Sequence, residues 1–189
     1  GCGDSTTKSS SGSASVSTSG NAADAAFVND MVPHHQGAID MAEIAQKKAQ
    51  HPQIKALAAG IIAAQKSEIA IMKKLQNDLH SVGGHSAHMG MSQSEMGMDG
   101  DMPMLENASQ FDKAFIDMMI PHHQGAIRMA RQQLPDGKLP ALQTMARNII
   151  KAQTAEIEQM RTWRKQWYGG SSTSDNGGSM MSGAPMNSN

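Results

Sequence analysis

Cysteine and aromatic residues are nearly absent from this chain, which has one Cys in 189 residues and only 3% Phe, Trp and Tyr. A lone cysteine makes no internal disulfide, and no Cys-x-x-Cys pair is present for redox or zinc chemistry. The 16 Lys and Arg are balanced by 17 Asp and Glu, so no global field directs the chain to nucleic acid or to an anionic membrane. No apolar run is long enough to span a bilayer. A phosphate-cradling glycine loop is missing, and no nucleophile stands beside a base. Soft donors, by contrast, are over-supplied, with 17 Met and 8 His.

The cysteine, Cys2, lies in Gly-Cys-Gly-Asp and is followed by a Ser/Gly/Ala/Thr run. That arrangement resembles the processing site of a bacterial lipoprotein. The expectation is an exported, extracytoplasmic protein whose signal segment has been removed and whose Cys2 carries the lipid. The lipid alone would anchor it to the membrane. Residues 1–22 hold too little apolar surface to offset their ordering entropy and read as a disordered tether.

The string Pro-His-His-Gln-Gly-Ala-Ile occurs at residues 33–39 and again at 121–127. Residues 27–45 align without a gap on 115–133, an offset of 115 − 27 = 88. The same offset pairs Pro52 with Pro140, Gln65 with Gln153, Glu68 with Glu156 and Met72 with Met160. The chain is therefore an internal duplication.

Helical periodicity predicts helices at about 23–50, 52–79, 110–133 and 139–168. Pro33 lies inside the first, where a kink or a break is expected. Ser109 with Asp112 reads as a capping box for the third, and Leu134-Pro135-Asp136-Gly137 as a turn. Short links make each helix pair antiparallel. The predicted fold is all-α, a four-helix bundle over 23–168 built from two tandem helical hairpins, 23–79 and 108–168, with pseudo-twofold symmetry. Residues 80–107 form a Met/His-rich loop or disordered insert, and 169–189 a disordered tail.

On a helical wheel Met31, His34, His35 and Met41 share one inward arc, as do Met119, His122, His123 and Met129. Glu68 and Glu156 occupy otherwise apolar stripes, where a carboxylate is costly unless paired or metal-bound, and Met72 and Met160 follow on the same faces. This donor set suits a soft or borderline transition metal. Blander readings stand beside it: methionines as core filler, and His-Glu pairs that only fix helix register. The insert offers a second donor set, His85, His88, Met89, Met91, Met96, Met98, Met102 and Met104, with spacings that can wrap a cuprous or silver ion. His80, and the tail's Met180, Met181 and Met186, are weaker echoes. Arg147, Lys151, Arg161, Arg164 and Lys165 read as a solvated face.

The doubled Phe-x-x-x-Met-x-Pro-His-His-Gln-Gly-Ala-Ile-x-Met-Ala, followed each time by Gln-x-x-Glu-Ile-x-x-Met, resembles the bacterial domain of unknown function 305 family over about residues 23–168. The resemblance implies an exported, ferritin-like four-helix bundle. Some members are copper-binding proteins of the CopM type, which points to Met31, His34, His35, Met41 and their repeat partners. The Glu-x-x-His pattern of ferritin-like di-iron enzymes is missing, since Ile71 and Gln159 stand where its histidines would.

The leading expectation is a copper-binding protein that sequesters, buffers or hands on copper, as Cu(I), without turnover, with a copper-handling protein as delivery partner and no nucleic acid. Its rival is a metal-dependent oxidase with a His/Glu iron or copper centre. A structural or adhesive bundle would leave the Met-rich insert unexplained.

Overall fold

The computed structural model describes residues 19–79, 81–82 and 86–169. Cys2, His80, His85 and the tail methionines lie outside the described residues. Helices α1 (Ala22–Lys48) and α2 (Pro52–Leu79) form one hairpin, and α4 (Phe111–Asp136) and α5 (Pro140–Tyr168) the other. A one-turn helix, α3 (Met102–Glu106), precedes α4. The two hairpins meet through α1 and α4, while α2 and α5 barely touch. The result is a four-helix bundle with one long crossover. None of the described helices is long and apolar enough to cross a membrane.

Neither Pro33 nor Pro121 interrupts its helix. The ring of Pro33 faces outward, and tertiary packing outweighs the loss of one amide donor. Helix α4 also runs through Pro135 to Asp136, so the turn expected at 134–137 is displaced to 137–139. Gly137 is required there, because a Cβ would strike the Gln133 amide and stand 2.7 Å from an Asp24 carboxylate oxygen.

The capping box expected at Ser109 and Asp112 does not form, and the N-cap of α4, Gln110, makes no side-chain cap bond. Asp112 is buried and faces the other hairpin, accepting from Gln50 N (3.0 Å), His51 N (2.8 Å) and His51 Nδ1 (2.6 Å). Its repeat partner at the same offset is Asp24, which is also fully buried. Asp24 accepts from Lys138 N (3.0 Å), Leu139 N (3.2 Å) and Gln133 Nε2 (2.6 Å). It also closes a capping box with Asn21. The first helix of each half thus supplies the carboxylate that satisfies the free amides at the turn of the other half.

Helical periodicity predicts core stripes of Ile54, Leu57, Ile61, Ala64, Glu68, Met72, Leu75 and Leu79 in α2 and of Leu142, Met145, Ile149, Ala152, Glu156, Met160, Trp163 and Trp167 in α5. Ile54, Ile61, Met72, Leu79, Leu142, Met145, Ile149 and Met160 are buried as predicted, but the middle of each stripe shifts by one residue. In α2 the buried positions are Ile54, Ala58, Ile61, Gln65, Ile69, Met72 and Leu79. In α5 they include Ile149, Gln153, Ile157, Met160 and Arg164. Ala64 and Ala152 are consequently exposed, and Glu68 and Glu156 stand on the shoulder of the core, 21% and 25% exposed, instead of at its centre. Arg164 is not part of the solvated face. Its guanidinium bonds Asp117 at 2.8 Å and lies over the Tyr168 ring.

The described part of the insert packs on the bundle. Asp30 of α1 accepts from His88 Nδ1 (2.6 Å) and Met89 N (2.7 Å), and Arg128 of α4 donates to the Glu95 carbonyl. Met96 and Leu105 are buried in the core, and Met89, Met91, Met98 and Met102 pack against it. Burial therefore accounts for part of this methionine content, contrary to the solvated loop expected from composition. Met104 remains 61% exposed.

Candidate metal centre

The paired histidines are placed by α1 and α4, the two helices that meet at the pseudo-twofold axis. All four rings are buried. His34 and His122 face each other across the axis, with ring centroids 3.8 Å apart and planes inclined by 33°. His35 and His123 turn the other way, each toward the second helix of its own hairpin. His35 Nε2 lies 2.6 Å from Glu68 Oε2, and His123 Nε2 lies 2.6 Å from Glu156 Oε2.

These contacts orient the imidazoles. With the Nε2 proton given to the carboxylate, the Nδ1 lone pair of His35 and of His123 is left bare, and both Nδ1 atoms are buried without a partner. A carboxylate holding the far nitrogen is the common arrangement behind a metal-ligating histidine. His34 is held by the Met96 carbonyl, to which its Nε2 donates at 2.9 Å, and its Nδ1 is again without a partner. For His122 no ring hydrogen bond is found among the described residues.

Burial pushes the His34 imidazole down to about 3, partly offset by the Met96 carbonyl and reinforced by His35 and His123. Burial likewise holds His122 well below its ordinary value, with neighbouring His34, His123 and His35 adding to the effect. Both rings are uncharged at neutral pH, which keeps a nitrogen lone pair available to a metal.

The core methionines on α1, α2, α4 and α5 are all buried, but they do not group by half. Met31 and Met72 share one apolar cluster with Met129 of the other half. Met119 and Met160 share the second with Met41. Each trio is the symmetry image of the other at the offset of 88. Met145 joins the first cluster and Met96 enters it from the insert. Among the described residues no three His, Cys, Asp or Glu side chains are grouped so as to hold a metal ion. An ion in the bundle would therefore draw on thioether sulfur as well as imidazole.

Several residues near these groups escaped the sequence reading. Gln65 and Gln153 are 4% exposed and each turns an Oε1 without a partner into the interior. Their repetition at the common offset was visible, but not their burial. Met118 lines a cavity beside His122, and its repeat mate is Asp30, so no repetition marks it. His88 and Met89 are drawn to α1 by Asp30, whereas Met104 stands apart on the exposed face of α3.

Comparison with proteins of curated function finds no match. Among solved structures, CopM in its apo form is 40% identical, with a TM-score of 0.66 over 77% of this chain and 98% of that one. CopM in its Cu(I)-bound form gives 39% identity and a TM-score of 0.67 over the same shares. A DUF305 fragment from Deinococcus radiodurans is 26% identical, with a TM-score of 0.64 over 76% of this chain and 96% of that one. The sequence profile of the domain of unknown function DUF305 matches residues 24–164 and, in a second match, 137–188. With most of the bundle inside the first match, the chain belongs to the DUF305 family.

Proposed function

We propose that this protein binds copper, as Cu(I), and sequesters, buffers or hands it on outside the cytoplasm. The observation that carries the reading is the pair of buried imidazoles, His35 and His123. Each is pinned through Nε2 by a glutamate and presents a bare Nδ1 within a core rich in methionine. Thioether and neutral imidazole are the donors that a cuprous ion favours. The similarity to CopM, which has been solved with Cu(I), Ag and Cu(II), supports the same ion class.

Glu68 and Glu156 orient the imidazoles and, being partly exposed, stand between the buried rings and solvent. The methionine trios supply sulfur: Met31, Met72 and Met129 on one side, and Met119, Met160 and Met41 on the other. In the insert, His88, Met89, Met91, Met98, Met102 and Met104 would collect ions from solvent, with His88 oriented by Asp30, while the buried Met96 would offer its sulfur from the core side. His85 remains a candidate on its sequence spacing. Lipidation at Cys2 would keep the protein on a membrane surface, beside a copper-handling partner. An iron oxidase centre is the weaker reading, because the described residues bring together no cluster of three or more oxygen and nitrogen donors from His, Cys, Asp or Glu.

Anaerobic titration of the full chain with Cu(I) against a competing chelator tests the proposal. Replacing His34, His35, His122 and His123 with Ala should remove the tight bundle sites and leave weaker, thioether-dominated binding. Unchanged stoichiometry in that variant would refute the bundle assignment.

A further inference from the structure

The two halves repeat their ligands but do not treat them alike. On α4, the insert turn at 93–97 lies directly against the helix. A Cβ at Gly125 would collide with the Met96 backbone, and one at Gly97, whose φ is +69°, would collide with the Pro121 carbonyl. The Met96 carbonyl thereby reaches His34 and occupies its Nε2. At the equivalent place on α1 none of the described residues passes. Among them a Cβ at Gly37 would have one neighbour within 4 Å, His122 Nε2 at 3.3 Å. A cavity of about 150 Å³ opens there, lined by Gly37, Met41, Met98, Met102, Met118 and His122.

We propose that this cavity is a single, asymmetric site for a soft monovalent cation, Cu(I) or Ag(I), with its ligands drawn from His122 Nε2 and the sulfurs of Met41, Met98, Met102 and Met118. The inference rests on the copper-binding reading above and adds to it. It assigns a ligand, Met118, that the repeat does not mark, and it removes Nε2 of His34, the symmetry mate of His122, from the site. Four thioethers and one imidazole converge without a carboxylate, which selects a soft, weakly hydrated ion over Zn(II), Fe(II) or Mg(II). His122 is 4% exposed, its Nδ1 is buried without a partner, and its Nε2, which faces the cavity side of Gly37, makes no hydrogen bond among the described residues. Gly97 and Gly100 keep the insert wall thin. A Cβ at Gly100 would press on the Met118 methyl at 2.6 Å. Met98, Met102 and Met118 are only partly buried, so the ion has a route from solvent.

The ligand set comes from three elements, α1, α4 and the insert with α3. An ion here would clamp the insert to the bundle as well as being held by it. The insert thus has two roles in one crossover: it closes the His34 side with a backbone carbonyl and completes the His122 side with thioethers.

The test uses the full chain labelled with ¹³C at the methionine methyls. It is titrated first with Ag(I), then anaerobically with Cu(I) in the presence of a competing chelator. The first equivalent should shift the methyl signals of Met41, Met98, Met102 and Met118 and leave Met31 and Met72 in place. Gly37→Ala, which places a methyl against His122 Nε2 while favouring the helix, should weaken that first equivalent about tenfold or more. Met118→Leu, a volume-conserving change, should do the same with thermal unfolding nearly unchanged. If the first equivalent instead shifts Met31, Met72 and Met129, or if both variants bind as tightly as the parent, this site is refuted while the copper reading stands. Failure of the parent to compete with the chelator at all would bring down both.

Discussion

His34 and His122 occupy equivalent places in a repeated seven-residue string, yet one is bonded to a backbone carbonyl and the other looks into a cavity. The repeats themselves do not create this difference. It comes from the segment between them, which can lie against only one of the two glycines. The aligned repeats diverge where they meet that segment. Asp30, which holds His88 and Met89, is matched by Met118. Arg128, which holds the Glu95 carbonyl, is matched by Asp40, which accepts from Gln36 at 2.8 Å. Sequence symmetry in a duplicated protein is thus a poor guide to chemical symmetry wherever the linker docks.

The largest loss of stability is expected at the buried carboxylates. Asp24→Ala strands the amides of Lys138 and Leu139 and the Asn21 capping box, and Asp112→Ala strands those of Gln50 and His51. Each should lose about 3 kcal/mol or more by urea unfolding, given about 1–3 kcal/mol for each buried group left unsatisfied. If either variant were as stable as the parent, the reciprocal capping would not be a stabilising contact.

Intermediate in size is the contrast between the equivalent glycines. Gly125→Ala forces the Met96 backbone off α4 and should cost about 1–3 kcal/mol. Loss of protease resistance in the insert should accompany it. Gly37→Ala gains helix propensity and should lie within about 1 kcal/mol of the parent. Equal effects at the two positions would show that the insert does not dock as described.

Acid supplies the mildest test. His34, held at about 3, and His122, held well below its ordinary value, stay neutral in the fold, whereas both protonate in the unfolded chain near 6.5. The unfolded state binds more protons, so stability is lost as pH falls from about 6.5 toward the folded values. Each ring contributes a slope of up to about 1.4 kcal/mol per pH unit. Urea unfolding of the metal-free protein at pH 7, 6 and 5 reads this slope. His34→Gln with His122→Gln should flatten it, and an unchanged slope would assign it to other groups.

Much of the fold was legible because helical periodicity is a local signal and the repeat runs without a gap. The four long helices, their pairing into hairpins and the burial of the four histidines all follow from spacing. What stayed hidden depends on contacts distant in sequence. Asp112 satisfied the local rule for a capping box with Ser109, but three donors from another turn outcompeted it. The offset of 88 already paired it with Asp24, a sign that both serve something outside their own helices. In α2 the buried positions are Gln65 and Ile69 where periodicity predicts Ala64 and Glu68: Glu68 is held at the rim of the core by His35, and nothing local marks Gln65 as an interior residue. The methionines of the insert carried no periodicity, so their docking on α1 and α4 could not be seen. The regrouping of Met41 and Met129 with the opposite halves needed the crossing of those two helices.

The exchange of carboxylates between hairpins also bears on descent. A chain carrying only one such hairpin would leave the amides at its turn bare and its own aspartate buried against nothing. A second copy, related by a twofold axis, would satisfy both. The bundle thus has the form of a fused homodimer, in which joining two copies freed one copy's glycine face to be covered by the joint and left the other's open. Joining two such copies is enough to make two identical surfaces different with no change in the repeated string.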